Sequence, residues 1–393
     1  MTGNVLRKHG GNIRAVVSRY GAREYLDFSA NINPLGLVSG VAKALRKGLD
    51  EIVHYPEPED DALSHAISKF LGVRQQMVMC GNGASELIYL VARLKQVKRA
   101  VIPQPTFSEY QLAAEAAQVP IVLPNLAAAQ GFQFTMQLLK EKLTAGDMLF
   151  LCNPNNPVGN VIPLREMINV IEFCEAHGVT VVVDESFRDF VSNMPSVIPY
   201  AAQYKCLVVI YSMTKFFALP GLRLGCAVAD PQIMDEIKEL RDPWSVNVLA
   251  QIAGKQALQE KNYIIRSKKL VETEKEYLFG GLKEVPGLQP YYPAANYIFV
   301  DVSGTGLAST ALRKLLINEG IVIRDCSTYP TLNTGYIRVA VRLREENHTL
   351  LCALNKVLRD PAKVQLPEGD IQRSNAEHKN SWQSRNEIGA DKG

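Results

Sequence analysis

Ser212-Met-Thr-Lys215-Phe-Phe-Ala-Leu-Pro-Gly221-Leu-Arg223-Leu-Gly225 follows the apolar run 207–211. That run reads as a strand, which sets Lys215 just past a strand end. A lysine so placed can form an imine with an aldehyde. Ser212, three residues before it, and Arg223, eight after it, can hold a phosphate. A ligand with both an aldehyde and a phosphate needs these groups together, and pyridoxal phosphate is such a ligand. Alone, the segment also reads as a solvated lysine in a loop. The rest of the chain decides between the two.

Outward from this segment, short apolar runs alternate with longer helical patterns. Strands are expected at 77–79, 100–102, 121–123, 148–152, 179–183, 207–211 and 225–228, and amphipathic helices at 85–94, 107–117, 163–177 and 231–240. The alternation predicts an α/β fold with a mostly parallel sheet covered by helices on both faces. In such sheets ligands bind beyond the carboxyl ends of the strands. A long helical stretch is expected from 245 to 280. A smaller α+β pattern follows, with strands at 297–302, 322–324 and 336–341 and helices at 308–319 and 345–358. The expected organisation is an N-terminal arm and part of the small domain (1–48), a large domain (49–244), a small C-terminal domain (245–360) and a disordered polar tail (361–393).

The 393 residues carry a net charge of +3 without a basic cluster, which makes nucleic acid a poor partner. No apolar run approaches the roughly 18 residues of a membrane span, and the first residues lack the apolar core of a signal peptide. Seven cysteines are scattered without Cys-x-x-Cys pairs. They read as reduced thiols of a cytoplasmic protein, neither disulfides nor metal ligands.

Four further segments fall at expected strand ends. Gly81-Asn82-Gly83-Ala84-Ser85-Glu86 opens a helix and reads as a phosphate cradle or a tight turn. Phe107 stacks on a flat ring or belongs to the core. Asn153-Pro-Asn155-Asn156-Pro157-Val-Gly159 is a turn by composition, from which Asn156 can donate to a phenolate-like oxygen. Asp184 ends the buried-type run 179–183 and needs a partner. It is a helix cap, a core salt bridge, or the carboxylate that keeps a pyridine nitrogen protonated.

Taken in order, these residues resemble the fold type I pyridoxal-phosphate enzymes of the class I/II aminotransferase group, over about residues 9–358. The resemblance implies the pyridoxal-phosphate-dependent transferase-like fold and a role for each residue. Lys215 forms the imine and later moves protons. Asp184 pairs with the ring nitrogen, Asn156 bonds the ring's 3-oxygen and Phe107 stacks on the ring. Gly83, Ala84, Ser212 and Arg223 hold the phosphate. Tyr55 reaches the phosphate of the neighbouring subunit, which implies a homodimer, and Arg338 binds a substrate carboxylate. One position departs from the pattern, for Phe187 stands where these aminotransferases usually carry a tyrosine.

The arm His9-Gly10-Gly11-Asn12-Ile13-Arg14 reads alone as a mobile tail or a turn. Together with Ser29-Ala30-Asn31-Ile32-Asn33-Pro34, Asp242-Pro243-Trp244-Ser245 and Ile323-Arg324-Asp325-Cys326, it resembles the threonine-phosphate decarboxylases of cobalamin biosynthesis. That resemblance implies conversion of L-threonine O-3-phosphate to an aminopropanol phosphate and carbon dioxide. His9, Asn33, Arg324 and Arg338 are the expected contacts to the substrate's phosphate and carboxylate. Serine phosphate as substrate, or a histidinol-phosphate aminotransferase, are the alternative readings.

Overall fold

The computed structural model describes residues 9–58, 61–140 and 142–359. At its centre lies a seven-stranded sheet in the order β2 (Val78–Asn82), β8 (Leu224–Ala229), β7 (Leu207–Ser212), β6 (Thr180–Asp184), β5 (Asp147–Cys152), β3 (Arg99–Val101) and β4 (Ile121–Val122). The strands from β7 to β4 pair in parallel, whereas β8 is antiparallel to both β7 and β2. Two reversals restore direction, so β2 points the same way as β7. The carboxyl ends of β2, β3, β5, β6 and β7 therefore share one edge of the sheet.

Both faces of the sheet are buried. Val181 and Val183 of β6 pack into one apolar cluster with the helix Leu164–Ala176, while Val182 packs into another with the helices Gly83–Val91, Glu109–Ala116 and Pro231–Leu240. A strand covered on both faces has no polar side to show, which is why 179–183 reads as an apolar run broken only by Thr180. The strands and helices expected from 77 to 240 all occur, with bounds shifted by a few residues.

A second sheet, β12 (Arg324–Asp325), β13 (Tyr336–Ala340), β10 (Tyr297–Asp301) and β9 (Gln289–Pro290), is antiparallel throughout. Its own core joins Ile298, Val300 and Val339 to Leu278, Leu312 and Leu350 from three helices. The strand expected at 322–324 is two strands. β11 (Ile321–Val322) pairs in parallel with β1 (Leu26–Asp27), and after Ile323 the chain changes partner, so that β12 pairs with β13. The helix expected from 245 to 280 is likewise two, Val248–Ala257 and Lys261–Lys283. The proposed tail at 361–393 lies outside the described residues. Among those residues no helix is long and apolar enough to cross a membrane.

Candidate active site

β7 delivers Ser212 as its last residue, and Lys215 follows within one turn. The lysine Nζ donates to Ser212 Oγ at 3.1 Å and stands 5.5 Å from the centre of the Phe187 ring. Burial pulls the ammonium below the ordinary lysine range; the Asp184 charge opposes this and Arg223 adds to it. A lysine so biased is more readily neutral and nucleophilic.

Register sets the next residues beside it. Ser212 pairs with Gly225 on β8, and Gly225 with Gly81 on β2. One residue beyond each strand end stand Gly83 and Arg223. A Cβ on Gly83 would lie 2.3 Å from the Arg223 Nη2, and Gly83 has φ +81°. Only glycine leaves room for the guanidinium there. The helix Gly83–Val91 begins at that point without a side-chain cap from Asn82. Its first amides, Gly83 and Ala84 among them, and the Arg223 charge make a place for an anion.

Asp184 ends β6, opposite Cys152 on β5 and Ile210 on β7. It is buried. Its Oδ2 accepts from Tyr110 Oη at 2.7 Å and its Oδ1 from the Ser186 amide at 2.8 Å. Tyr110 also meets the Phe107 ring edge-on, with centroids 5.6 Å apart, and stacks on Phe150. Burial first, then the Asp184 charge, push the Tyr110 phenol well up, so it remains a donor. Sequence reading did not single out Tyr110, although its place one helical turn after Phe107 was a usable signal.

The asparagine turn divides its labour. Asn153 exchanges bonds with the Ile162 backbone, and Asn155 joins Thr106 Oγ1 to the Pro105 carbonyl. Asn156 alone turns to the arginines. Its Oδ1 accepts from Arg338 Nη1 and, at 3.4 Å, from Tyr329 Oη, which leaves the amide nitrogen to donate elsewhere. Arg338 Nη2 donates to the Ser29 carbonyl at 2.9 Å, and its Nε is buried without a partner. Arg324 faces Arg338 across the β12–β13 register. It bonds Thr328 Oγ1 at 2.8 Å and lies over the Tyr329 ring. Both arginines are buried, and neither has a carboxylate partner among the described residues.

The arm contributes His9, which meets Glu109 Oε1 at 2.6 Å and lies 5.7 Å from the Phe107 ring. Gly11 donates to Ser29 Oγ, and a side chain on Gly10 would strike the Ser29 carbonyl at 2.0 Å. The arm thus rests on the residue whose carbonyl takes Arg338. Asn33 is not in the group expected of it. Its Nδ2 donates to the Phe216 carbonyl and to Ser267 Oγ, both at 2.7 Å, and its Oδ1 accepts from the Leu35 amide. That amide is committed within the protein and has no hydrogen left to offer an anion. Asn31, two residues earlier, has a buried Oδ1 without a partner. Tyr55 stands apart, 82% exposed and leaning on the Trp244 ring at 5.1 Å.

The residues fit pyridoxal phosphate on structural grounds. The Gly83–Arg223 cradle suits its phosphate, Lys215 its aldehyde and the Asp184 carboxylate its ring nitrogen. Comparison with known proteins agrees. The threonine-phosphate decarboxylase of Salmonella typhimurium is 36% identical over 354 residues, 89% of this chain and 96% of that one. Among solved structures, the histidinol-phosphate aminotransferase from Clostridium acetobutylicum superposes with a TM-score of 0.80 at 29% identity, covering 85% of this chain and 99% of that one. The same fold occurs in the histidinol-phosphate aminotransferase from Sinorhizobium meliloti, solved in complex with pyridoxal-5'-phosphate, at TM-score 0.78 and 20% identity over 92% of this chain and 98% of that one. The family model for aminotransferase class I and II matches residues 23–354, and the chain belongs to that family of pyridoxal-phosphate-dependent enzymes.

Proposed function

We propose that this enzyme decarboxylates L-threonine O-3-phosphate to (R)-1-aminopropan-2-yl phosphate and carbon dioxide, in the formation of the cobalamin nucleotide loop. The observation that carries the reading is the pair Arg324 and Arg338, adjacent in register, buried and without carboxylate partners. Two unpaired guanidiniums side by side suit a ligand with two anionic groups. A phosphoamino acid has both a phosphate and a carboxylate in one molecule; histidinol phosphate has only the phosphate, and the amino-transfer reading fills both arginines only when 2-oxoglutarate, with its two carboxylates, is bound. The 36% identity to the Salmonella typhimurium decarboxylase supports the same choice.

Bound pyridoxal phosphate supplies an electron sink for the bond that breaks at Cα. In this reading Ser212, Arg223 and the amides of Gly83 and Ala84 hold its phosphate, Asp184 its ring nitrogen, Asn156 its 3-oxygen and Phe107 its face. Arg338, bonded to Asn156, takes the substrate carboxylate. Arg324 takes the phosphate, with His9 from the docked arm. Fixing both anions orients the substrate so that the carboxylate is the group set to leave. Lys215, as its ammonium, gives Cα the proton it receives afterwards and is left as the neutral amine that burial favours. The exposed apolar residues Leu49, Ile52, Val53, Tyr55 and Trp244 form the surface at which a second copy docks, with Tyr55 reaching its partner's site. Seven free cysteines suit the reducing cytoplasm.

The test uses purified holoenzyme with threonine phosphate, with serine phosphate, and with histidinol phosphate plus 2-oxoglutarate. The expected result is carbon dioxide and aminopropanol phosphate from the first, in preference to the second. The likeness to the Clostridium acetobutylicum enzyme favours a second reading, amino transfer from histidinol phosphate. Glutamate formation without carbon dioxide release would establish that second reading and overturn the first.

A further inference from the structure

We infer that Tyr110 is a positioning residue, which holds Asp184 in the orientation and charge state required for its contact with the cofactor's ring nitrogen. The inference rests on the assignment of Asp184 to that nitrogen. Asp184 is a buried carboxylate at the end of a strand, directly after three buried valines. Taking a carboxylate out of water is costly unless hydrogen bonds replace the lost solvent. It receives two from the protein, one on each oxygen. The Ser186 amide on Oδ1 comes from the chain two residues on and is local. The Tyr110 hydroxyl on Oδ2 crosses from the helix Glu109–Ala116 and is the long-range one.

Tyr110 is itself held on two sides. Its ring lies 5.2 Å from Phe150 at an interplanar angle of 13°, and meets Phe107 edge-on. Phe150 belongs to β5, which pairs with β6. The hydroxyl therefore has little freedom to leave Oδ2. The same side chain steadies both Phe107, the ring that would cover the cofactor's face, and Asp184, the group that would hold its nitrogen. A donor to a carboxylate favours the charged form. With the donor in place, the proton between Asp184 and the ring nitrogen stays on the nitrogen. Without it, the carboxylate holds its charge less firmly and the proton shifts toward oxygen, which weakens the ring as an electron sink.

The test compares wild-type, Y110F and D184N holoenzymes loaded with pyridoxal phosphate carrying 15N in the ring. The nitrogen chemical shift reports protonation directly, independent of turnover. In Y110F the signal is expected to move toward that of an unprotonated pyridine. Turnover should fall about tenfold or more, the equivalent of one charged hydrogen bond, with KM changed far less. A second variant keeps the ring shape and changes only donor strength: 3-fluorotyrosine placed at 110 should move the signal in the opposite direction. If both Tyr110 variants keep the wild-type nitrogen shift while D184N moves it, the inference about Tyr110 is overturned even if turnover falls. If D184N also leaves the nitrogen unchanged, the assignment of Asp184 to the ring nitrogen fails first.

Discussion

Gly83→Ala tests the phosphate cradle with a single methyl group. Gly83 has φ +81°, and its added Cβ would lie 2.3 Å from Arg223 Nη2 and 2.8 Å from Cζ. Two costs follow. Alanine in the left-handed region costs about 1–2 kcal/mol, which appears as lost stability. The contact itself can be relieved, because the guanidinium is the far end of a flexible side chain. Relief means that Arg223 swings away from the helix N-terminus and, on the proposed assignment, loses its bond to the cofactor phosphate. A charged hydrogen bond of this kind contributes about 1.5–3 kcal/mol, so pyridoxal-phosphate affinity should fall by about 10- to 150-fold. Spectroscopic titration of the apoenzyme measures the affinity and urea unfolding the stability. Gly72 supplies the control, since it has φ +71° with nothing within 4 Å of its added Cβ. Gly72→Ala should lose similar stability and keep its affinity. Wild-type affinity in Gly83→Ala would refute the reasoning, because the cradle would then not depend on the space that glycine leaves.

Arg338 spans Asn156 Oδ1 and the Ser29 carbonyl with separate nitrogens. Lysine cannot make that fork, so R338K is expected to raise the KM for threonine phosphate by about tenfold or more; an unchanged KM excludes a direct contact with the carboxylate. Arg324→Ala, which removes the second guanidinium, should do the same for the phosphate, read as a greater loss on threonine phosphate than on free threonine. Burial pushes the Glu185 carboxyl up from 4.5 to about 7, against hydrogen bonds from Ser196 and the Val197 amide that pull it down. Between those values the unfolded chain releases a proton that the folded one keeps, so stability falls as pH rises across the window, by about 3 kcal/mol. E185Q should lose that slope in urea unfolding at about pH 5 and about pH 7, and a wild-type slope would assign it to another group. Phe187 packs edge-on against Tyr297 beside Lys215. F187Y places a hydroxyl there, and the absorbance titration of the lysine-bound cofactor should shift to lower pH; coincident curves would count against any influence of this position.

The large sheet was legible in the sequence because both of its faces are covered. Runs such as 148–152 and 207–211 carry no polar side, and their lengths separate them from the amphipathic helices between them. One error, and one feature left undetermined, came from the same source. Periodicity reports which side chains are buried and says nothing of which partner buries them. The segment 322–324 reads as one strand, yet Ile321–Val322 serves β1 and Arg324–Asp325 serves β13. The antiparallel β8 was equally invisible, since its apolar run looks like those of its parallel neighbours. Its reversal matters to the site: it brings Arg223, which precedes the strand, to the edge where β2 and β7 end.

The candidate site was legible where a residue type is chemically rare at a strand end, and obscure where two residues of one type compete. Lys215 and Asp184 have few rivals nearby. Asn31 and Asn33 have the same chemistry and stand two residues apart, so composition could not separate them. What separates them is the neighbour each one meets. Asn33 reaches Phe216 and Ser267, which lie 183 and 234 residues along the chain, and its amide closes the segment against the helix Lys261–Lys283. Asn31 meets no donor for its Oδ1 among the described residues. An unsatisfied buried amide costs about 1–3 kcal/mol, a cost that a ligand or an ordered water can remove. The same reasoning bears on Tyr110, whose hydroxyl looks superfluous on the buried face of its helix until Asp184 arrives from 74 residues away. Tyr110 declares itself by a bond completed over long range, a property that the residue type alone does not carry.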